Sequence, residues 1–330
     1  MKQVADFYMM NIVIVANDGY VQHGAVMLTS LFETNKDCQF RVFLFTDGIS
    51  DENRTRLETL CRCYGNLFEV HTPEEELKSA HGVDISKLPS GKWSTMIYYK
   101  LFMPTVLPSD VERCLFLDVD MIVVDDIKPL YNISLKDNAI IAAVEDVASC
   151  IPRKEVLGLN LEDYYFNSGV MVCDIAKWRK EEARRPIFDF VLEWSDKAIN
   201  EQDDLAVYMK GRIQLLPIRW NMVACNYLRQ RFVFPKYYSE LKEARKHPAI
   251  HHFCTMIPPW FADSPHPYRH LYPKYLKVYG EKIGVEMNLQ LPYKNAPRSV
   301  YQRLRNHVGR ILNLFDIIKQ PGYILHKIRY

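Results

Sequence analysis

Two aspartates wedged between apolar runs constrain this chain more than any other feature of its sequence. In Arg113–Asp126, RCLFLDVDMIVVDD, the run Cys114-Leu115-Phe116-Leu117 leads into Asp118, Val119 and Asp120. A second apolar run, Met121 to Val124, and two more aspartates follow. Four or five apolar residues bounded by polar ones suit a strand buried on both faces of a sheet. Asp118 and Asp120 then fall at the strand's carboxyl end, where open α/β sheets bind ligands. Ionised carboxylates are almost never buried without a partner, so this pair calls for a cation. The plainer alternative is a strand end capped by solvated aspartates, and that reading is kept for Asp125 and Asp126 as turn residues.

The flanking sequence repeats the pattern. Asn11 to Ala16 reads as a strand ending in Asn17-Asp18-Gly19-Tyr20, and Gly24–Thr34 fits a helix with Val26, Leu28, Leu31 and Phe32 inward. Strands over Phe40–Phe45 and Leu67–Val70 enclose a helix capped by Ser50 that runs through Leu57 and Leu60. A helix over Trp93–Phe102 is expected to end before Pro104, and strands are expected over Ala139–Val144 and Val170–Asp174. Trp178 opens a helical region with Ile187, Phe188, Val191, Leu192 and Trp194 as apolar positions, and another helix fits Glu201 to Met209. This alternation predicts an α/β fold, a mostly parallel central sheet flanked by helices. No G-x-G-x-x-G turn follows the first strand, which argues against an NAD- or FAD-binding domain.

Charge and composition narrow the function classes. At 330 residues, 48% hydrophobic and 25% charged, the chain is globular in composition and long enough for a large core. Its eight cysteines form no C-x-x-C pair, and Cys114 and Cys173 sit inside apolar runs, so buried reduced thiols are expected. The first ten residues carry no signal-peptide pattern, and no apolar run approaches the roughly 18 residues of a membrane span. A cytoplasmic protein is the expectation. From Pro292 onward eight basic residues face only Asp316, so the tail carries +7 of a total of +2 and the body is acidic. That distribution excludes a uniformly basic nucleic-acid binder. Within Arg298–Lys319, Val300, Leu304, Val308, Ile311, Leu312, Phe315 and Ile318 recur at helical spacing. They predict an amphipathic helix on an anionic membrane surface, peripheral on its inner face, or else docked on the body or on another subunit of a homo-oligomer.

Several polar residues are candidates for chemistry. Neighbouring histidines in a strand point to opposite faces, so only one of His251 and His252 can join a given metal. With the two aspartates it would make an O/O/N set suited to Mn²⁺ or Mg²⁺ rather than zinc. Glu201, Asp203 and Asp204 at a helix start complement its positive end without any chemistry. Gln202 gains nothing from the dipole and is the suspected site residue there. Asn167 reads either as a turn residue or as an amide at a strand mouth.

The segments NIVIVANDGY, STMIYYKLFMPTVLP, CLFLDVDMIVVDDIKPLY, YYFNSGVMVCDIAKWR, EQDDLAVYMKG and HHFCTMIPPW occur in this order over roughly Asn11 to Trp260. In them the chain resembles glycosyltransferase family 8, the retaining transferases that include bacterial lipopolysaccharide galactosyl- and glucosyltransferases. The resemblance implies a GT-A nucleotide-diphospho-sugar transferase domain over residues 1–275 and a basic helical extension over 276–330. It also implies UDP-glucose or UDP-galactose as donor, a glycan acceptor such as lipopolysaccharide or another cell-envelope glycan, and a Mn²⁺ or Mg²⁺ cofactor. Carried onto this sequence, the metal ligands are Asp118, Asp120 and His252. The donor side comprises Ala16, Asn17, Asp18, Tyr20, Lys100 and Val119, then Asn167 and Ser168, with Glu145 or Asp146 near the sugar. Gln202 falls at the position tied to the retaining reaction, with Glu201 and Asp203 beside it as catalytic candidates.

One departure stands out. The family's metal motif runs H-x-x-G-x-x-K-P-W, but Thr255 occupies the glycine position here and Pro258 the lysine. A cation that would face the diphosphate is gone, and Lys100 or Arg219 is expected to compensate. Phe116 to Asp120 also resembles the nucleophile motif of haloacid-dehalogenase-like phosphatases. Its position deep in the chain, and Ile122 where that motif has Thr or Val, argue against it. A weakly active protein that binds carbohydrate or nucleotide-sugar is the other alternative, resting on Pro258.

Overall fold

The computed structural model describes residues 9–89, 94–147, 150–228 and 233–295, together with Leu304 and Val308. In chain order the strands are β1 (Met9–Val15), β2 (Gln39–Phe45), β3 (Leu67–His71), β4 (Arg113–Leu117) and β5 (Met121–Val123). They continue with β6 (Ile141–Glu145), β7 (Phe166–Asp174), β8 (Ile213–Leu215), β9 (Met222–Val223) and β10 (Ile250–His252). The central sheet runs β3-β2-β1-β4-β7-β6-β8, and β5-β10-β9 form a small second sheet. Side chains alternate across the central strands, so each strand feeds two cores. Ile12, Ile14, Leu115 and Leu117 enter one core and Val13, Cys114 and Phe116 the other. Helices Val21–Thr34, Asp51–Cys63 and Leu271–Ile283 cover the first face. The segment Thr95–Phe102 and helices Ile175–Arg184, Ile187–Trp194 and Glu201–Tyr208 cover the second.

One reversed strand places the site. β1 pairs parallel with β2 and β4, β2 with β3, and β6 with β8, but β7 is antiparallel to both β4 and β6. The start of β7 therefore lies beside the end of β4, with Leu117 opposite Val170 and the Asp118 amide donating to the Gly169 carbonyl at 2.9 Å. β4 stops at Leu117, and the apolar run after Asp120 does not continue it. As β5 that run crosses into the second sheet, antiparallel to β10, which sets His252 opposite Met121. Asp118 and Asp120 thus sit on the link between two sheets, and the Phe253 amide donates to the Asp120 carbonyl at 2.9 Å.

Local signals act as the residue types dictate. The Ser50 hydroxyl accepts from the Asn53 amide at 3.3 Å and starts helix Asp51–Cys63. Thr95–Phe102 is a 3-10 helix, not the α-helix that the spacing suggests, and Trp93 lies outside the described residues. Met96 and the run Tyr98 to Phe102 are buried, so this piece has no solvent face, and Pro104 has no N–H for the Lys100 carbonyl. Pro104 is the second residue of a single α turn, Met103–Val106. Asn167 is inside β7 and not in a turn. Leu192 is 40% exposed and turns away from the core that takes Ile187 and Val191.

The expected division after residue 275 passes through helix Leu271–Ile283. Tyr272, Tyr275, Leu276 and Tyr279 are buried in the same core as helix Val21–Thr34, so the body continues past that point. Of the amphipathic helix expected over Arg298–Lys319, only Leu304 and Val308 are described; both are helical and exposed, and the rest lies outside the described residues. Among the described residues no helix is long and apolar enough to cross a membrane.

Candidate active site

A cavity of about 740 Å³ opens where β1 and β4 end and β7 begins. Val15, Ala16, Asn17 and Tyr20 line one side, Asp118, Val119 and Asp120 its floor, and Asn167, Ser168, Asn200, Glu201 and Gln202 the far side. Cys254, Thr255, Met256, Pro258 and Trp260 close the remaining wall without contributing a charge.

At the floor, Asp118, Asp120 and His252 bring three ligand atoms within 4.8 Å of one another. His252 Nε2 lies 3.2 Å from Asp120 Oδ1 and 3.9 Å from Asp118 Oδ2. Its Nδ1 faces Asn221 Oδ1 at 2.9 Å, so the tautomer that donates there leaves Nε2 free toward the carboxylates. Asn221 is held in turn by donating to Asn167 Oδ1 at 2.8 Å. Burial disfavours a charged His252, but Asp120 and then Asp118 outweigh it and raise its pKa. Two carboxylate oxygens and an imidazole nitrogen whose ring Asn221 holds in place are a donor set that suits a divalent metal ion. Gly169 makes room for this arrangement: a Cβ there would lie 2.5 Å from His252 Cε1 and 2.8 Å from Asp118 Oδ2. His251 points the other way, into an aromatic cluster where it meets the Tyr227 hydroxyl at 2.6 Å and stacks on Tyr268. Burial lowers its pKa to about 4.

Lys100 is buried, and its ammonium lies 3.2 Å from Asp118 Oδ1, 3.1 Å from Glu201 Oε1 and 3.4 Å from Ser168 Oγ. Burial opposes its charge, but Asp118 and Glu201 outweigh that cost and hold it protonated. It is therefore neither solvated nor free for a phosphate; it ties two walls together. Arg219 does not line the cavity. It pairs with Asp125 and donates to the His247 carbonyl at 3.0 Å, so the compensation expected of it is not available.

Helix Glu201–Tyr208 begins at Asn200, whose side chain accepts from the Asp203 amide at 3.1 Å. Gln202 is fixed from both sides: Oε1 accepts from the Ser168 amide at 3.1 Å and Nε2 donates to Asp146 Oδ2 at 2.9 Å. Asp146 acts on the cavity through Gln202, and burial raises its pKa despite that bond and one from the Val147 amide. Asp203 is turned away and fully buried. It pairs with Arg153 and accepts from the Tyr165 hydroxyl at 2.7 Å and the Ile199 amide at 2.9 Å, so its place among the catalytic candidates is corrected to a structural one. Asp18 is also outside the lining. Its Oδ1 accepts from the Ser50 amide at 2.7 Å, the Ser50 hydroxyl at 2.9 Å and Asn53 Nδ2 at 2.8 Å, which knits β1's end to the start of helix Asp51–Cys63 and lowers its pKa. Glu145 accepts from the Tyr237 hydroxyl at 2.7 Å and Lys236 at 2.8 Å, beside but outside the cavity.

Sequence reasoning missed Asn221, Asn200 and the support of Trp260. The Trp260 ring stacks on His23 at 3.8 Å, and His23 Nδ1 meets the Tyr272 hydroxyl at 2.6 Å. Burial lowers the His23 pKa to about 4, so the stack is formed by a neutral ring. Nothing in the spacing of these residues links them, because they come from three separate segments.

Comparison with known proteins bears on this site. The sequence pattern described as Glycosyl transferase family 8 matches residues 11–264. General stress protein A of Bacillus subtilis is 29% identical over 280 residues, 81% of this chain and 93% of that protein. A lipopolysaccharide 1,2-glucosyltransferase of Escherichia coli is 25% identical over 219 residues, covering 63% of this chain and 60% of its own length. A crystal structure of the galactosyltransferase LgtC with donor and acceptor sugar analogs superposes with a TM-score of 0.68 at 24% identity, covering 82% of this chain and 96% of that one.

Proposed function

The chain belongs to glycosyl transferase family 8, and from that premise we propose that it moves glucose or galactose, with retention of configuration, from a UDP-sugar to a cell-envelope glycan such as lipopolysaccharide. Its fold is the GT-A fold of LgtC. The observation that carries the reading is the meeting of Asp118, Asp120 and His252 on the floor of one cavity whose far side holds a doubly anchored Gln202.

In this reading Ala16, Asn17 and Tyr20 receive the nucleoside at the end of β1, and Asn167 and Ser168 face the sugar at the start of β7. Asp118, Asp120 and His252 would hold a divalent cation, whose charge would stabilise the negative charge of the departing diphosphate. The anomeric carbon develops positive charge as UDP leaves. Each lining carboxylate already has a cationic or imidazole partner: Glu201 and Asp118 share Lys100, and Asp120 faces His252. Among the described residues of the lining, that leaves no uncommitted carboxylate to act as nucleophile for a covalent intermediate. Attack on the face that UDP leaves is therefore preferred over the two-carboxylate scheme of glycosidases. Gln202 keeps one N–H and one lone pair beyond its two bonds, enough to orient the sugar and the incoming hydroxyl. Asp146 and the Ser168 amide fix its rotamer so that the amide need not reorganise.

The deciding experiment is UDP release from a panel of UDP-sugars with Mn²⁺, repeated in excess EDTA. Turnover of UDP-glucose or UDP-galactose that EDTA abolishes is the expected result. Full transfer in EDTA, or hydrolysis of phosphate monoesters without UDP-sugar turnover, would overturn it. Placement on the inner face of the cell membrane is part of the same proposal and rests on the basic tail.

A further inference from the structure

Among its described residues, the cavity is short of positive charge for the substrate proposed above. Among the described residues that line it, Asp118, Asp120 and Glu201 carry negative charge and Lys100 alone is a permanent cation. A divalent ion on the floor would bring that set to neutrality, and Lys100 is already bound to two of the carboxylates. The diphosphate of a UDP-sugar adds about two negative charges that no described residue of the lining answers. The wall formed by Thr255, Met256 and Pro258 is uncharged, but a cation is hydrogen-bonded to its backbone. Lys294 Nζ donates to the carbonyl of Met256 at 2.7 Å, and Met256 lines the cavity.

The backbone of Lys294 is stapled to this wall. Asp263 accepts from the amide of Lys294 at 2.9 Å, the amide of Asn295 at 3.2 Å and Asn295 Nδ2 at 2.8 Å. The Ala262 amide donates to the Pro292 carbonyl at 2.8 Å, and the Lys294 ammonium lies 5.4 Å from the Phe261 ring centroid. Three backbone or side-chain ties to one carboxylate fix where the lysine starts, while its side chain stays exposed. An ammonium has three donors and the Met256 carbonyl takes one, which leaves two for an anion.

We propose that Lys294, from the segment that follows the matched residues 11–264, is a diphosphate-binding residue of this cavity and supplies the positive charge that its own wall lacks. The proposal rests on the UDP-sugar reading. A charge-assisted hydrogen bond to a phosphate oxygen forms when donor binds and strengthens as the diphosphate departs.

The test measures binding of UDP with Mn²⁺, and of uridine, by calorimetry on the full chain, comparing wild type with Lys294→Gln and Lys294→Arg. Glutamine keeps a donor for the Met256 carbonyl but removes the charge. The expected result is that Lys294→Gln weakens UDP about 10-fold or more and leaves uridine unchanged, while Lys294→Arg stays within about 3-fold of wild type. An unchanged UDP affinity in Lys294→Gln overturns the inference and leaves the UDP-sugar reading standing. A parallel loss of uridine also overturns it, by making the residue structural. Failure of the wild type to bind UDP with Mn²⁺ overturns both.

Discussion

Gly169 illustrates how much one residue can decide. Its missing side chain lets His252 and Asp118 close over the start of β7, and a Cβ at 2.5 Å from the imidazole would push that ring off its ligand position. Gly169→Ala is expected to fold but to lose Mn²⁺ affinity by roughly 10–100-fold, measured by Mn²⁺ titration. Asp120→Ala removes a ligand outright and should weaken Mn²⁺-dependent UDP binding by roughly 100-fold or more; binding equal to wild type would sink the assignment of the triad. Gln202 differs, because it orients charge rather than holding an ion. Gln202→Ala is expected to lower kcat about 100-fold with little change in KM for the donor, which steady-state kinetics would read. A rise in KM at constant kcat would reassign it to ground-state binding.

Helix Glu201–Tyr208 shows how an element can serve a site at a cost to stability. It turns Glu201 and Gln202 to the cavity and buries the next two acids. Asp203 is satisfied by Arg153, but neither oxygen of Asp204 has a hydrogen-bond partner among the described residues. Burial, then Asp203 and Glu201, push the Asp204 pKa up to about 8. A carboxyl whose folded pKa lies above its unfolded value costs stability as pH rises: the unfolded chain ionises first, near 4, and the penalty grows until the folded group ionises near 8. Asp204→Asn should therefore melt close to wild type near pH 4 and higher than wild type by roughly 5 °C or more at pH 8, with no further widening above that. Equal pH dependence in the two proteins would show that Asp204 has a partner. The bland role expected for these acids, complementing a helix dipole, omits this burial, because burial is set by the strands beneath the helix and not by its own sequence.

At the scale of the molecule, the body does not end where the sequence pattern loosens. Helix Leu271–Ile283 lies against the helices that begin at Val21 and Asp51, and Tyr272 also anchors the His23–Trp260 stack at the cavity wall. A chain ended at residue 275 loses the buried Leu276 and Tyr279, each worth roughly 1.5–3 kcal/mol, against a total stability of about 5–15 kcal/mol. It should fail to show a cooperative thermal transition, whereas a chain ended at Asn295 should keep one. What the sequence determined by itself is local or carried in residue type: the apolar runs that become β1, β2, β3, β4 and β6, the Ser50 cap, and two carboxylates and a histidine as an oxygen-rich ligand set. Tertiary structure alone decided that β7 runs backwards and so brings Asn167 and Ser168 to Asp118. It also decided that Asp203 and Asp18 turn aside and that Lys100 is held between two carboxylates, whereas the choice of His252 over His251 was already implied by the family resemblance. Periodicity and capping act over a few residues and leave a readable trace. Strand register and the choice of partner for a buried charge depend on residues dozens to hundreds of positions away, and the chain carries no local mark of them.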